Sequence, residues 1–384
     1  MNITLQRSEL SDAVSRAVTV APPASPVREL EGVLLETGAD ALTVTATNLE
    51  IALQQRLPCL SAEDDALVVS AALFNAMLRK LAGDTVTLRR AGDESALFVE
   101  SGDAAYSIPT MNCKGYPRVE IPFPEDTIPV SGIPALVRRT VFAVYAQNDN
   151  PLLQCVNLKF TRDGLVGVGC DGLRMISAKG DPKSTGDVSL LVPARSLAKL
   201  ARISGDGDEY RVGTTGRSIV FSRSGMIFTA RIMEADYVDT DRIIGSLQNA
   251  FTVLTDIAEL RKAMDAVMQV DPSGSVCLSF QDDRLTFSAR GAFGNAATAI
   301  TVTALRGTPS GQYWQTSKKL YDCLRVLSGT ATLGVAQGGM LTLSTEDAFY
   351  LQPSVRPPKQ RSAPEQPEET AKKEPSKRRP KKAA

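Results

Sequence analysis

The feature that most constrains this chain is a threefold internal repeat, with a period of about 120 residues. The stretch GVLLETGADALTVTATNLEIAL, from Gly32, alternates apolar and polar residues, turns at Gly-Ala-Asp, alternates again and breaks at Asn48. VNLKFTRDGLVGVGCDGLRMIS, from Val156, follows the same plan and breaks at Asp171. VCLSFQDDRLTFSARGAFGNAATAI, from Val276, does so once more and breaks near Gly291. Leu42, Leu165 and Leu285 share one register, at spacings of 123 and 120. Period-two alternation on either side of a turn is the pattern of antiparallel strands with one buried face.

Each unit then offers a helix in the same place. VSAALFNAMLRKL, from Val69, sets Phe74, Met77, Leu78 and Leu81 at helical spacing. VPARSLAKLARI, from Val192, does so with Leu197 and Leu200, and Pro193 suits a first helical turn. QTSKKLYDCLRVL, from Gln315, uses Leu320, Cys323 and Leu324. These helices align so that Arg79, Arg202 and Arg325 coincide, each 123 residues from the next. A second amphipathic segment precedes each strand block: SELSDAVSRAV, IPALVRRTVFAV and DIAELRKAMDAV. Strands such as SALFVESGDAAYSIPT and SIVFSRSGMIFTARIME close the units. The expectation is an α+β chain of three units, each with two helices backed by antiparallel sheets.

Composition narrows the chemistry. The chain has no histidine, which removes Ser-His-Asp and Cys-His catalysis and every histidine metal site. Its six cysteines, Cys59, Cys113, Cys155, Cys170, Cys277 and Cys323, are scattered without a C-x-x-C and read as reduced thiols. Charges balance at 43 basic and 43 acidic, but residues 357–384 hold nine basic and four acidic, leaving the body at −5. That Pro-, Glu- and Lys-rich tail reads as disordered. An N-terminus without an apolar core segment, and no apolar run of membrane-spanning length, point to a soluble cytoplasmic protein.

One motif points elsewhere. Gly167, Gly169 and Gly172 spell G-x-G-x-x-G with Cys170 inside it. A dinucleotide loop must open a helix, whereas LRMISAKGDP alternates briefly and stops at Gly180 and Pro182. Cys170 has no histidine to act as its base. The glycines therefore read as an accident of small residues on a strand, with Asp171-Gly172 as a turn.

The ordered set AVSRAV, GVLLET with LTVTATNLEIAL, SIPTMNCKGYPRVE, CDGLRM, LVPARSLAKLARI and YLQPSVR resembles the bacterial sliding clamp, the beta subunit of DNA polymerase III. The resemblance covers everything but the tail. It implies clamp domains over 1–122, 123–247 and 248–357, followed by a basic tail over 358–384. Two chains would close head to tail into a ring of six domains, helices inside and sheets outside. The function implied is a non-catalytic processivity factor that encircles duplex DNA without reading sequence. It needs no cofactor and no metal, and tethers the replicative polymerase, the clamp loader and other partners.

The resemblance also implies roles for particular residues. Arg79, Lys80, Arg138, Arg139, Arg195, Lys199, Arg202, Arg261, Lys262, Lys318, Lys319 and Arg325 would line the DNA channel. Leu153, Cys170, Gly172, Leu173, Arg174, Met175, Val238, Arg242, Ile243, Pro353, Val355 and Arg356 would form a pocket for partner peptides between the second and third domains. Tyr106 and Ile108 on one side, with Val267 and Met268 on the other, would form the dimer contact. The pocket departs from the family pattern. Cys170 stands where threonine is common, Leu173 where histidine is, and Val238 where a proline is. Gln352 and Ser354 replace apolar residues and proline. A specialised clamp with altered partners, and an enzyme built on the glycine motif, are the alternative readings.

Overall fold

Three copies of one plan follow each other in the computed structural model, which describes all residues except 61–63, 91–94, 119–122, 146, 148–149, 292 and 359–384. The basic tail expected over 358–384 lies outside the described residues from 359 onward. Unit one contains α1 (Arg7–Val20) and α2 (Ala71–Leu78). Unit two contains α3 (Ile133–Val141), α4 (Ala194–Ile203) and a short α5 (Thr240–Ser246), and unit three contains α6 (Ile257–Met268) and α7 (Ser317–Val326). The helices start where local chemistry starts them. Ser70 accepts from the Leu73 N–H to cap α2, Asp239 from Arg242 to cap α5, and Asp256 from Ala258 to cap α6. Pro193 ends the preceding strand one residue ahead of α4, rather than lying in its first turn.

The strand hairpins seen in the sequence recur with one register. Thr47 faces Ala52, Cys170 faces Met175 and Arg290 faces Asn295 across the three turns. Asn48 accepts from the Glu50 and Ile51 N–H groups, and Asp171 from those of Leu173 and Arg174, so each polar break is a hydrogen-bonded turn.

Sheets run across unit boundaries. A twelve-stranded sheet joins the eight strands of unit one to four of unit two, through Ile51–Pro58 paired antiparallel with Met226–Arg231. A nine-stranded sheet joins units two and three through Met175–Lys179 and Ala348–Gln352. The four-stranded remainder of unit three ends at Gly294–Thr301, which pairs on one side only among the described strands. Against these sheets the helices form a row: α2 packs on α1, α1 on α4, α4 on α3, α3 on α7 and α7 on α6. A continuous apolar core lies between row and sheets.

The glycine motif has a packing reason, which corrects its reading as an accident. A Cβ at Gly167 would lie 2.9 Å from Leu136, and one at Gly169 would lie 2.4 Å from the Thr140 carbonyl. Both glycines face α3 and let it settle onto the strand. Gly172 sits in the turn at φ +82.

Candidate functional site

All twelve basic residues expected in the channel lie on the helix row or within two residues of a helix end, and none is buried. Their surroundings divide them. Arg138 pairs with Asp206, Arg139 with Asp347, Arg195 with Glu50, Lys318 with Asp322 and Lys319 with Asp171. Lys199 donates to the carbonyl of Val20 at the end of α1. Burial, with Arg202 nearby, pushes its ammonium below the usual lysine range against the opposing pull of Glu50. Arg79, Lys80, Arg202, Arg261, Lys262 and Arg325 are exposed and have no ion pair among the described residues. Of the twelve, these six present a charge to solvent without a partner among the described residues. Arg79 caps α2, while Arg202 and Arg325 fall in the last turns of α4 and α7, so the threefold spacing is a threefold position.

The expected pocket residues lie around the joint of units two and three, though not all face one way. Val168, Cys170, Met175 and Leu351 form a buried floor, with Leu153, Tyr237, Ile243, Ile244 and Leu247 packed against it. This floor lies on the sheet face away from the helices, because Val168 and Cys170 alternate with Gly167 and Gly169, which face α3. Burial raises the Cys170 thiol, partly offset by the N–H of Gly172, so it is a packing group rather than a nucleophile. Leu173 is 59% exposed at the turn. Val238 is half-buried beside Tyr237, and Arg242 is exposed on α5.

Arg174 corrects the expectation. Its side chain, 9% exposed, lies on the helix side, where it donates to Asp171 (3.1 Å), Asp322 (3.3 Å), the Lys319 carbonyl (3.1 Å) and the Phe142 carbonyl. It braces the two units instead of lining the pocket. Pro353, Val355 and Arg356 also lie outside the apolar cluster; Val355 donates its N–H to Trp314 and Ser354 bonds Gln315. Buried Gln352 accepts from Tyr350 and donates to the Thr316 carbonyl, so these two departures from the family pattern serve the fold of unit three.

Of the four residues expected at a dimer contact, Ile108 and Val267 are fully buried within their own chain. Ile108 is on the inner face of its strand, and Val267 continues the Leu260–Met264 stripe of α6. Both are core residues. Tyr106 and Met268 stay half-exposed.

Two domain models of one family match consecutive parts of this chain: the DNA polymerase III beta subunit N-terminal domain over residues 1–120, and its central domain over 127–239. The chain belongs to the DNA polymerase III beta subunit family. Among its relatives, the beta sliding clamp of Bacillus subtilis is 22% identical over 280 residues, 69% of this chain and 73% of the relative. That of Micrococcus luteus is 22% identical over 297 residues, 75% of this chain and 94% of the relative. The crystal structure of the Bacillus subtilis sliding clamp superposes with a TM-score of 0.85 at 20% identity, covering 93% of this chain and 99% of that one. A putative beta subunit from Eubacterium rectale gives 0.86 at 17% identity, covering 92% and 99%.

Sequence reasoning missed part of this apolar cluster. Val166 and Val168 could have been found from their alternation with Gly167 and Gly169. Ile244 and Leu247 carry the signal of an apolar helix face behind an Asp239 cap. Tyr237, Phe349 and Met340 gave none, because they reach the cluster from other segments.

Proposed function

We propose that two copies of this chain close head to tail around duplex DNA as a sliding clamp, with units over 1–122, 123–247 and 248–357. One observation carries the reading: the chain makes the same strand joint twice and holds both halves of a third one open. At the first joint Thr229 faces Ala52; at the second Leu351 faces Met175. Ala52 and Met175 hold the hairpin position of Asn295, and Thr229 and Leu351 hold that of Ser107, which faces Phe98 as they face Val220 and Thr342. Residues 104–109 pair only with 96–101, and 294–301 only with 284–291, among the described strands. Tyr106 occupies the position of Phe228 and Tyr350, which are fully buried at the closed joints, yet it remains half-exposed. Open edges of this kind invite pairing with another chain. Closing the third joint in the same register sets Ser107 of one copy opposite Asn295 of the other.

In that ring the helix row faces the hole, and the six unpaired cations attract duplex phosphates without reading bases. The apolar floor between units two and three, on the outer face, receives hydrophobic side chains of linear motifs from the replicative polymerase and other partners. Cys170, Leu173 and Val238 are the departures left to tune which peptide enters.

The test is a cross-link. Directly opposite residues place their Cβ atoms about 5 Å apart, within a small adjustment of disulfide geometry. Ser107→Cys with Asn295→Cys, oxidised, yields covalent dimers that stay on circular plasmid and leave linear DNA. Ser107→Cys with Thr298→Cys, three positions out of register, does not. Equal cross-linking of both pairs, or a monomeric wild type in solution, refutes the joint.

A further inference from the structure

The outer sheet face at the joint of units one and two carries a cleft of about 630 Å³, within the size range of ligand sites. Its floor is a row across four strands: Gln54, Ile227, Ser222 and Arg211 stand opposite one another in turn. Arg56 and Arg223 border this row, and Phe123, 59% exposed, forms a wall from the connection between the units. The corresponding face of the next joint is apolar, with Val166 and Val168 in the hairpin positions of Thr43 and Thr45. The two joints therefore offer different chemistry.

We propose that this cleft binds an acidic, extended peptide segment of a partner protein, with one apolar residue of that segment against Phe123 and Ile227. Among the described residues, three guanidinium groups and a single carboxylate, Asp40, line the cleft, on a chain body whose net charge is −5. Asp40 shows what the site accepts: both of its oxygens lie 2.7 Å from Arg56 Nη2. Arg223 is held by Asp208 at 2.6 Å and lies over the Tyr210 ring, while its Nε is buried without a hydrogen-bond partner. Arg211 is exposed and has no ion pair among the described residues. Guanidinium forks match carboxylates in geometry as well as charge. The cleft opens on the side opposite the helix row, so duplex held by that row does not reach it. One aromatic wall provides a place for one side chain, not the succession of stacking surfaces that single-stranded nucleic acid uses. This site is independent of the pocket between units two and three.

The test uses the full chain and a fluorescein-labelled Glu-Glu-Phe-Glu-Glu peptide, followed by fluorescence anisotropy at low and high salt. Its Gln-Gln-Phe-Gln-Gln analogue and a short oligothymidylate are the comparison probes. The acidic peptide binds in preference to both, and more weakly as salt rises. Arg211→Glu weakens it about tenfold, as expected for a lost charge-assisted contact plus repulsion. Phe123→Ala weakens it about threefold, the order expected for partial loss of one apolar contact. Arg284→Glu, an exposed arginine of unit three, makes the same net charge change and leaves binding unchanged. All three substitutions are at exposed positions, and matching thermal unfolding confirms that each variant is folded. Equal binding of the Gln analogue, tighter binding of oligothymidylate, no effect of Arg211→Glu, or no binding by the wild type overturns the proposal.

Discussion

Replacing Arg174 by alanine tests the interunit brace directly. The guanidinium ties the Asp171 turn of unit two to the Phe142 carbonyl just beyond α3, and to Asp322 and the Lys319 carbonyl on α7 of unit three. It also lies 5.1 Å from the Phe142 ring centre. Removing one member of a buried ion pair typically costs about 3–5 kcal/mol, because its partner stays buried and uncompensated. Here Lys319 remains 2.6 Å from Asp171, which spares that carboxylate, whereas Asp322 keeps, among the described residues, only the exposed Lys318. The loss should therefore sit near the lower end, about 3 kcal/mol. For a transition involving a body the size of units two and three, that corresponds to a fall of roughly 6–12 °C in the first thermal midpoint. Arg174→Lys keeps the charge but not the fork and recovers no more than half of it. Differential scanning calorimetry of wild type, Arg174→Ala, Asp322→Ala and the double variant isolates the coupling. A loss below about 1 kcal/mol with no coupling to Asp322 would show that the brace carries no stability, and the assignment of Arg174 to the joint would fall.

Three further outcomes follow from the same geometry. Gly169→Ala drives a methyl into the Thr140 carbonyl and should lower stability by about 1–3 kcal/mol, whereas Gly207→Ala, which faces open space, should be close to neutral in thermal unfolding. Joint reversal of Arg79, Arg202 and Arg325 to Glu should weaken DNA association and flatten its salt dependence by roughly 0.9 per lost phosphate contact, with the oligomeric state unchanged. Burial raises the Asp181 carboxyl, but the Lys183 N–H and the Ser131 hydroxyl and N–H together bring it below the usual value. A lowered folded pKa stabilises above the unfolded pKa of about 4, and that stability disappears as pH falls through the folded value. Asp181→Asn should remove that acid-side dependence, at most about 1 kcal/mol for so solvated a group, in urea titrations between pH 3 and 6.

The repeat was legible because strand and helix periods, turn residues and the 123-residue arginine spacing reinforce one another, and each survives in the structure. What escaped depends on facts that periodicity does not contain. Alternation says that Tyr106 and Ile108 share a face, but not that the core already fills the space around Ile108. Val267 looks like any apolar residue near a helix end until the Leu260–Met264 stripe is placed. Arg174 follows a turn, and whether it points to pocket or brace is decided by α7, some 145 positions away in sequence. The glycines misled in the opposite direction, since their small size answers to α3, which lies earlier in the chain.

The three kinds of joint in the proposed ring use the same strand pairing but differ in how their partners meet. Two are intramolecular: the chain tethers both strands at an effective concentration that covalent linkage sets, and dilution leaves them closed. The third is a bimolecular equilibrium whose closed fraction falls as protomer concentration falls. A ring built this way has its opening positions fixed by connectivity. Any protein that admits DNA needs to break only one of two equivalent seams, and the strain it applies is relieved there before it can separate units of the same chain.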